Sequence, residues 1–122
     1  RARVYMSERR VKNPQARFRE SVGRLVGGFL KRRGKSKAGK SFFDSIGYSP
    51  FDLIKHIEAQ FTKGMTWENY GEWHLDHIIP NSSFNYLSMD DKEFSACWAL
   101  SNLRPLWGHE NMVKGDSITL LL

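Results

Sequence analysis

Asp76-His77-Ile78-Ile79-Pro80 sets a carboxylate beside an imidazole, and Asn102-Leu103-Arg104-Pro105-Leu106 follows with a carboxamide. Asn111 comes nine residues after Asn102, and Lys114 three residues after Asn111. Asp76 and Asn111 both offer hard oxygen, which suits a magnesium-type ion that keeps several of its waters. His77, with an ordinary pKa of ~6.5, can serve as a neutral base near pH 7. A phosphodiester needs both kinds of help. Water is a poor nucleophile, the anion repels attack, and charge builds on the departing oxygen, where a cation can neutralise it. The set therefore points to metal-assisted phosphodiester cleavage. Each member alone is commonplace: an Asp-His pair is often structural, Asn102 suits a turn or cap, and Asn111 suits an exposed helix position. The weight lies in the combination and its spacing.

That chemistry makes a demand on the backbone. Neighbours on a regular strand point to opposite faces, so Asp76 and His77 converge only if the strand ends or bulges there. A strand is expected over residues 72–79, carried by Trp73, Leu75 and Ile79 and closed by Pro80. A second is expected over Leu103 to Trp107, with Pro105 arguing against a central position in a sheet. Residues 81–88 read as loop, Asp90 to Leu100 as a helix carrying Phe94, Cys97 and Trp98, and 109–115 as a short helix closed by Gly115. Upstream, Asn13-Pro14 has the chemistry of a helix start. Phe18, Val22, Leu25, Val26, Phe29 and Leu30 then recur at helical spacing. Arg33 to Lys40 is a basic linker by composition. Its Gly-Lys-Ser triplet lacks the earlier spaced glycine of a phosphate-binding loop. Ser41 to Ile46 reads as a short helix stopped by Gly47. Ser49-Pro50 opens another, with Phe51, Leu53, Ile54, Ile57 and Phe61 expected on its buried face.

Charge is divided unevenly. Residues 1–40 hold 14 Lys and Arg against Glu8 and Glu20, whereas residues 41–122 hold 5 against 11 Asp and Glu. A basic lead on an acidic body suggests a polyanionic partner, nucleic acid first. The single cysteine, Cys97, excludes an intrachain disulfide framework and a cysteine zinc site, and its apolar neighbours suggest an inert buried thiol. No apolar run reaches the ~20 residues of a membrane span, and no signal peptide is visible. The chain opens at Arg1 without a methionine, so its natural start is expected further upstream.

Trp73 to Pro80, Asn102 to Trp107 and Asn111-Met112-Val113-Lys114-Gly115-Asp116 together resemble the HNH endonucleases, whose core is the ββα-metal fold. The likeness is specific from about Glu72 to Asp116. More loosely, Ile46 to Ser49, Gly64 to Trp67 and Asn69 to Gly71 resemble the helical lead-in of small phage-type members. The resemblance implies an α+β protein. Its ββα-metal core would cover residues 72–118 and its helical lead-in 41–71, within a nuclease domain over 41–122. A basic, mainly helical arm and linker would cover 1–40. Asp76 matches the metal-binding acid and His77 the general base. Asn102 matches the asparagine that fixes the loop and orients that histidine through the backbone. Lys114 matches a basic position near the scissile phosphate. Asn111 stands where many members have a histidine, which makes this an His-Asn-Asn variant. A carboxamide there favours Mg2+, with Mn2+ as a substitute, over zinc. Many members hold a structural zinc with paired cysteines. Here Trp107 and Glu110 occupy that region, so no structural zinc is expected and a tryptophan packs instead.

His74 and His109 lie near the set as secondary candidates, and His74 shares a strand face with Asp76. The implied activity is hydrolysis of DNA, by nicking or double-strand cleavage, leaving 5′-phosphate and 3′-hydroxyl ends. Double-stranded DNA is the expected partner, in the cytoplasm of a bacterial or phage-infected cell. Phosphate contacts are expected from Arg9, Arg10, Arg17, Arg24, Arg32, Arg33, Lys35 and Lys37, with affinity falling as salt rises. The competing reading is a non-catalytic DNA-binding module that keeps a nuclease-like frame. A metal-dependence of strand cleavage separates the two.

Overall fold

Helix α1 runs from Pro14 to Arg32 and begins where Asn-Pro predicts, with the Asn13 side chain accepting the Ala16 amide at 3.2 Å. The structure, a computed structural model, describes residues 13–114, with side chains through Asn111. Arg9 and Arg10, Gly115 and Asp116 lie outside the described residues. Phe18, Val22, Val26 and Leu30 recur every fourth residue along α1 and are all buried. Leu25 and Phe29 sit about 100° round the helix from Val26 and Leu30. Leu25 is 39% exposed and Phe29 only partly buried, so the buried stripe is narrower than the sequence pattern.

The basic segment after α1 does not leave the body. Lys37 turns back so that its Nζ donates to the Gly23 carbonyl at 3.1 Å, and its aliphatic tail lies over Gly23 and Gly27. A short helix α2, Phe42–Ile46, ends at Gly47 with φ of 90°, the left-handed turn that glycine adopts without strain. Helix α3, Pro50–Glu58, opens with a reciprocal cap: Ser49 accepts the Asp52 amide and Asp52 accepts the Ser49 amide, both at 3.0 Å. Leu53 and Ile57 are its buried positions. Phe51, expected on that face, is 67% exposed, because it lies two residues from Leu53 and hence roughly 200° round the helix.

Strands β1, Trp73–His77, and β2, Leu103–Trp107, form a two-stranded antiparallel sheet with Trp73 opposite Trp107 and Asp76 opposite Arg104. Pro105 is tolerated in β2 because both strands of a pair are edge strands. Between them lie a 3-10 turn at Asn81–Ser83, helix α4 at Lys92–Cys97 and a 3-10 turn at Leu100–Asn102. α4 is shorter than the predicted span of 90–100. The Asp91 carboxylate accepts the Leu87 and Ser88 amides and holds the preceding residues in a turn. Helix α5, Gly108–Lys114, follows β2 directly. Its first residue has little choice: a side chain at Gly108 would meet the Glu72 carbonyl at 3.2 Å, and the Gly108 amide donates to that same oxygen at 2.8 Å.

The described chain is thus α+β, a small ribbon packed among helices. Aromatic rings build most of its core. Phe18, Phe61, Trp67, Tyr70 and Trp73 meet under the start of α1, with centroids 5.0–6.0 Å apart. Phe42, Phe94 and Trp98 form a second group near its end, joined by Tyr86 through Phe94. α1 spans both groups, so the expected boundary at residue 40 does not divide the hydrophobic core. Among the described residues no helix is long and apolar enough to cross a membrane.

Cys97 lies within the second group. Burial pushes its thiol up to about 12, against smaller opposing effects of the Asn81 amide and the Arg33 cation. A thiol raised in the folded state favours folding below its unfolded value and withdraws that contribution as pH climbs from about 9 towards 12. Native protein at pH 8 should therefore resist iodoacetamide and react at the rate of unfolding. Alkylation at the pace of an exposed thiol, followed by mass spectrometry, would contradict this packing.

Candidate active site

The end of β1 is fixed by one side chain. Asn102 Oδ1 accepts the Ile79 amide at 2.8 Å, while its Nδ2 donates to the Ile79 carbonyl at 3.1 Å and the Cys97 carbonyl at 2.8 Å. The Asn102 backbone carbonyl accepts the Ile78 amide at 2.8 Å. Ladder pairing therefore stops at His77, two residues short of the predicted strand end, and the chain turns away into the Asn81–Ser83 turn. Asp76 and His77 are the last two residues of the ladder, opposite Arg104 and Leu103. Asp76 and His77 both border one cleft of about 470 Å³, and Asn111 from α5 borders it as well.

Asp76 is 5% exposed, and its Oδ2 accepts Arg104 Nε at 2.9 Å from the facing strand position. A buried carboxylate needs such a partner, since desolvating an unpaired charge costs several kcal/mol. A carboxylate has two oxygens with about four lone-pair sites, so it can hold a guanidinium and a metal ion together. His77 is 9% exposed. Its ring meets Trp98 edge to face with centroids 4.4 Å apart, and Phe29 at 6.1 Å. Packing from two sides holds the imidazole in one orientation. Among the described residues no three His, Cys, Asp or Glu side chains converge as a metal-binding group. Among the described residues the cleft is bordered by the Asp76 carboxylate and the Asn111 carboxamide, and also by His77, Asn81 and Ser82. Two hard oxygens, from Asp76 and Asn111, fit an ion that retains most of its water.

The remaining predicted residues divide. Lys114 lies one turn beyond Asn111 in α5, and its side chain lies outside the described residues. His109 is exposed on the same helix. His74 is exposed, with Nε2 2.9 Å from the Gly71 carbonyl, and borders a second groove beside the first cleft. His56 has a structural position, its Nε2 3.1 Å from the Leu103 carbonyl. Arg17 donates to the Tyr70 carbonyl at 2.7 Å, and Arg32 lies over the Phe29 ring. Arg24 is exposed and donates to Ser21. Lys35 is exposed, whereas Lys37 is folded onto α1.

Arg33 is largely committed to the fold. Its guanidinium donates to the Asn81 side chain at 3.0 Å and to the Asn81 and Phe84 carbonyls at 3.2 and 2.8 Å, and it stacks over Tyr86. It thereby ties the end of α1 to the loop that leaves β1. Arg104, Asn81, Phe29 and Trp98 carry the site's geometry, although the sequence pattern assigned the first two no role and the last two only places on apolar helix faces. Only Arg104 left a signal, as a cation between Asn102 and Pro105, and reading it required the strand register.

The chain is 39% identical over 85 residues to "Uncharacterized protein L426" of Acanthamoeba polyphaga mimivirus, covering 69% of this chain and 37% of that protein. It is 38% identical over 78 residues to "Uncharacterized protein L246" of the same virus, covering 63% and 34%. The chain spans about a third of the length of the curated relatives it matches. Neither a known protein family nor a solved structure matches it.

Asn102 offers the sharpest structural test. Asn102→Ala leaves two carbonyls and an amide without their partner and should cost roughly 2–4 kcal/mol. Asn102→Asp keeps the shape but turns acceptor oxygen towards the Ile79 and Cys97 carbonyls, and should cost at least as much. Urea midpoints at unchanged slope measure both. A loss below about 1 kcal/mol in either variant would contradict the clamp.

Proposed function

We propose that this chain carries an HNH-type nuclease core of ββα-metal architecture that hydrolyses DNA phosphodiester bonds with one divalent ion. The observation that carries the reading is the convergence of Asp76, His77 and Asn111 on one cleft, at a strand end pinned by Asn102. The order strand, strand, helix from residue 73 to 114 supports it, as does the way the loop between the strands returns to Asn102.

The chain's own residues divide the work. Asp76 and Asn111 would hold the ion, Mg2+ or in its place Mn2+. Bound there, it would neutralise charge on the phosphate and on the departing oxygen. His77 takes a proton from the attacking water as the new oxygen–phosphorus bond forms. The phosphorus–O3′ bond breaks, leaving a 5′-phosphate, and the released 3′-oxygen takes a proton from solvent. Trp98 and Phe29 hold the imidazole in the orientation this transfer needs. Asn102 positions it indirectly, by fixing the two residues that follow. Arg104 holds the Asp76 carboxylate in place.

Supercoiled plasmid tests the reading. Nicked or linear product should form with Mg2+ or Mn2+, vanish with EDTA, and fall by at least roughly a hundredfold in His77→Ala, the usual worth of a general base. Salt-sensitive DNA binding without cleavage under any divalent ion would instead favour a binding module that keeps the frame. Cleavage that survives His77→Ala would assign the base elsewhere.

A further inference from the structure

Helix α1 contains three glycines, at positions 23, 27 and 28, each costing its helix about 1 kcal/mol relative to alanine. A side chain at Gly23 or Gly27 would make ordinary contact with the end of Lys37, at 3.9 and 3.6 Å. At Gly28 no described residue lies within 4 Å of where a Cβ would be. Instead it opens on a groove of about 700 Å³, next to the Asp76–His77 cleft and sharing Phe29, Arg32, Leu75 and Asn111 with it. A glycine in a helix wall with open space above it lets a group from outside the chain approach the backbone closely.

The groove's chemistry says what. Leu25, Phe29 and Leu75 give it an apolar floor, and Leu25 is exposed there. Arg24 and Arg32 stand one turn before and one turn after Gly28, about 12 Å apart along the axis. Among the described residues that border it there is no carboxylate. The volume is that of a pocket enclosing a small organic group. A duplex would offer this groove only its phosphates, since its bases face inward. An unpaired nucleotide offers a flat base to the apolar floor and a phosphate to the arginines, the two contacts that single-strand binders combine.

We infer that the groove between α1 and β1 is a subsite for an unpaired nucleotide of the strand being cut, with its base over Gly28 and its phosphates on Arg24 and Arg32. This rests on the nuclease reading for its connection to cleavage. It narrows the substrate from plain duplex to DNA with unpaired nucleotides beside the scissile phosphate.

The test is binding in EDTA, followed by fluorescence anisotropy with a labelled thymidine dodecamer and a blunt duplex of equal length. The wild type should bind the single strand more tightly than the duplex. Gly28→Met, which fills the groove and favours helix, should weaken single-strand binding roughly tenfold, the order of one stacked base. Arg24→Gln with Arg32→Gln, both at exposed positions, should also weaken it and flatten the salt dependence by about one to two phosphate contacts. Tighter binding of the duplex, or a Gly28→Met protein that binds the single strand as the wild type does, overturns the subsite. Neither result depends on hydrolysis. DNA with unpaired nucleotides beside a duplex, left uncut with Mg2+ or Mn2+ while these binding differences persist, would overturn the nuclease reading and leave the nucleotide subsite standing.

Discussion

One buried carboxamide sets the geometry from which the rest of the site follows. The segment between β1 and β2 must leave the sheet, form a helix and return, and at both ends of that excursion the backbone needs partners that the ladder no longer supplies. Asn102 supplies them, with its acceptor on the Ile79 amide and its donors on the Ile79 and Cys97 carbonyls. An amide side chain suits this position because it offers both polarities in one plane. An acid lacks the donors, and a lysine lacks the acceptor. The clamp ends the ladder at His77, and the last two strand residues, an acid and an imidazole, both border one cleft.

The surroundings share the task of making that strand end rigid. Trp98, from the end of α4, meets the His77 ring directly, and Phe29 meets it from α1. Arg33, at the end of α1, binds the carbonyls of the loop beyond β1. α1 is therefore one wall of the site as well as a carrier of charge. Its buried line of Phe18, Val22, Val26 and Leu30 anchors it to the core, while the line that includes Arg24, Gly28 and Arg32 borders the grooves. The two lines are separate because a helix turns about 100° per residue.

Much of this was legible in the chain, and the parts that were not share a cause. The start of α1, the cap of α3 and the limits of β2 are local: Asn13-Pro14, Ser49 with Asp52, and the run Leu103 to Trp107 each carry their own signal. The early end of β1 was foreseeable as a requirement of the chemistry, but not its agent, because Asn102 reaches back 23 residues to Ile79. Phe51 was misplaced because an apolar residue near a helical stripe looks like part of it until its angle is considered. Composition cannot distinguish a solvated arginine from one that stitches loops together, so Arg33 read as a phosphate contact. Arg104 opposite Asp76, and the groove over Gly28, depend on strand register and on which helix packs where. Neither exists in any single segment.

The central claim is that Asp76 and Asn111 share one hard ion beside His77. A crystal grown with Mn2+ and measured at the manganese absorption edge tests it directly. The account predicts an anomalous peak within about 2.0–2.3 Å of an oxygen from each of the two side chains, with water filling the other positions. A peak held by other residues, or none at saturating Mn2+ with the cleft open to solvent, would contradict it.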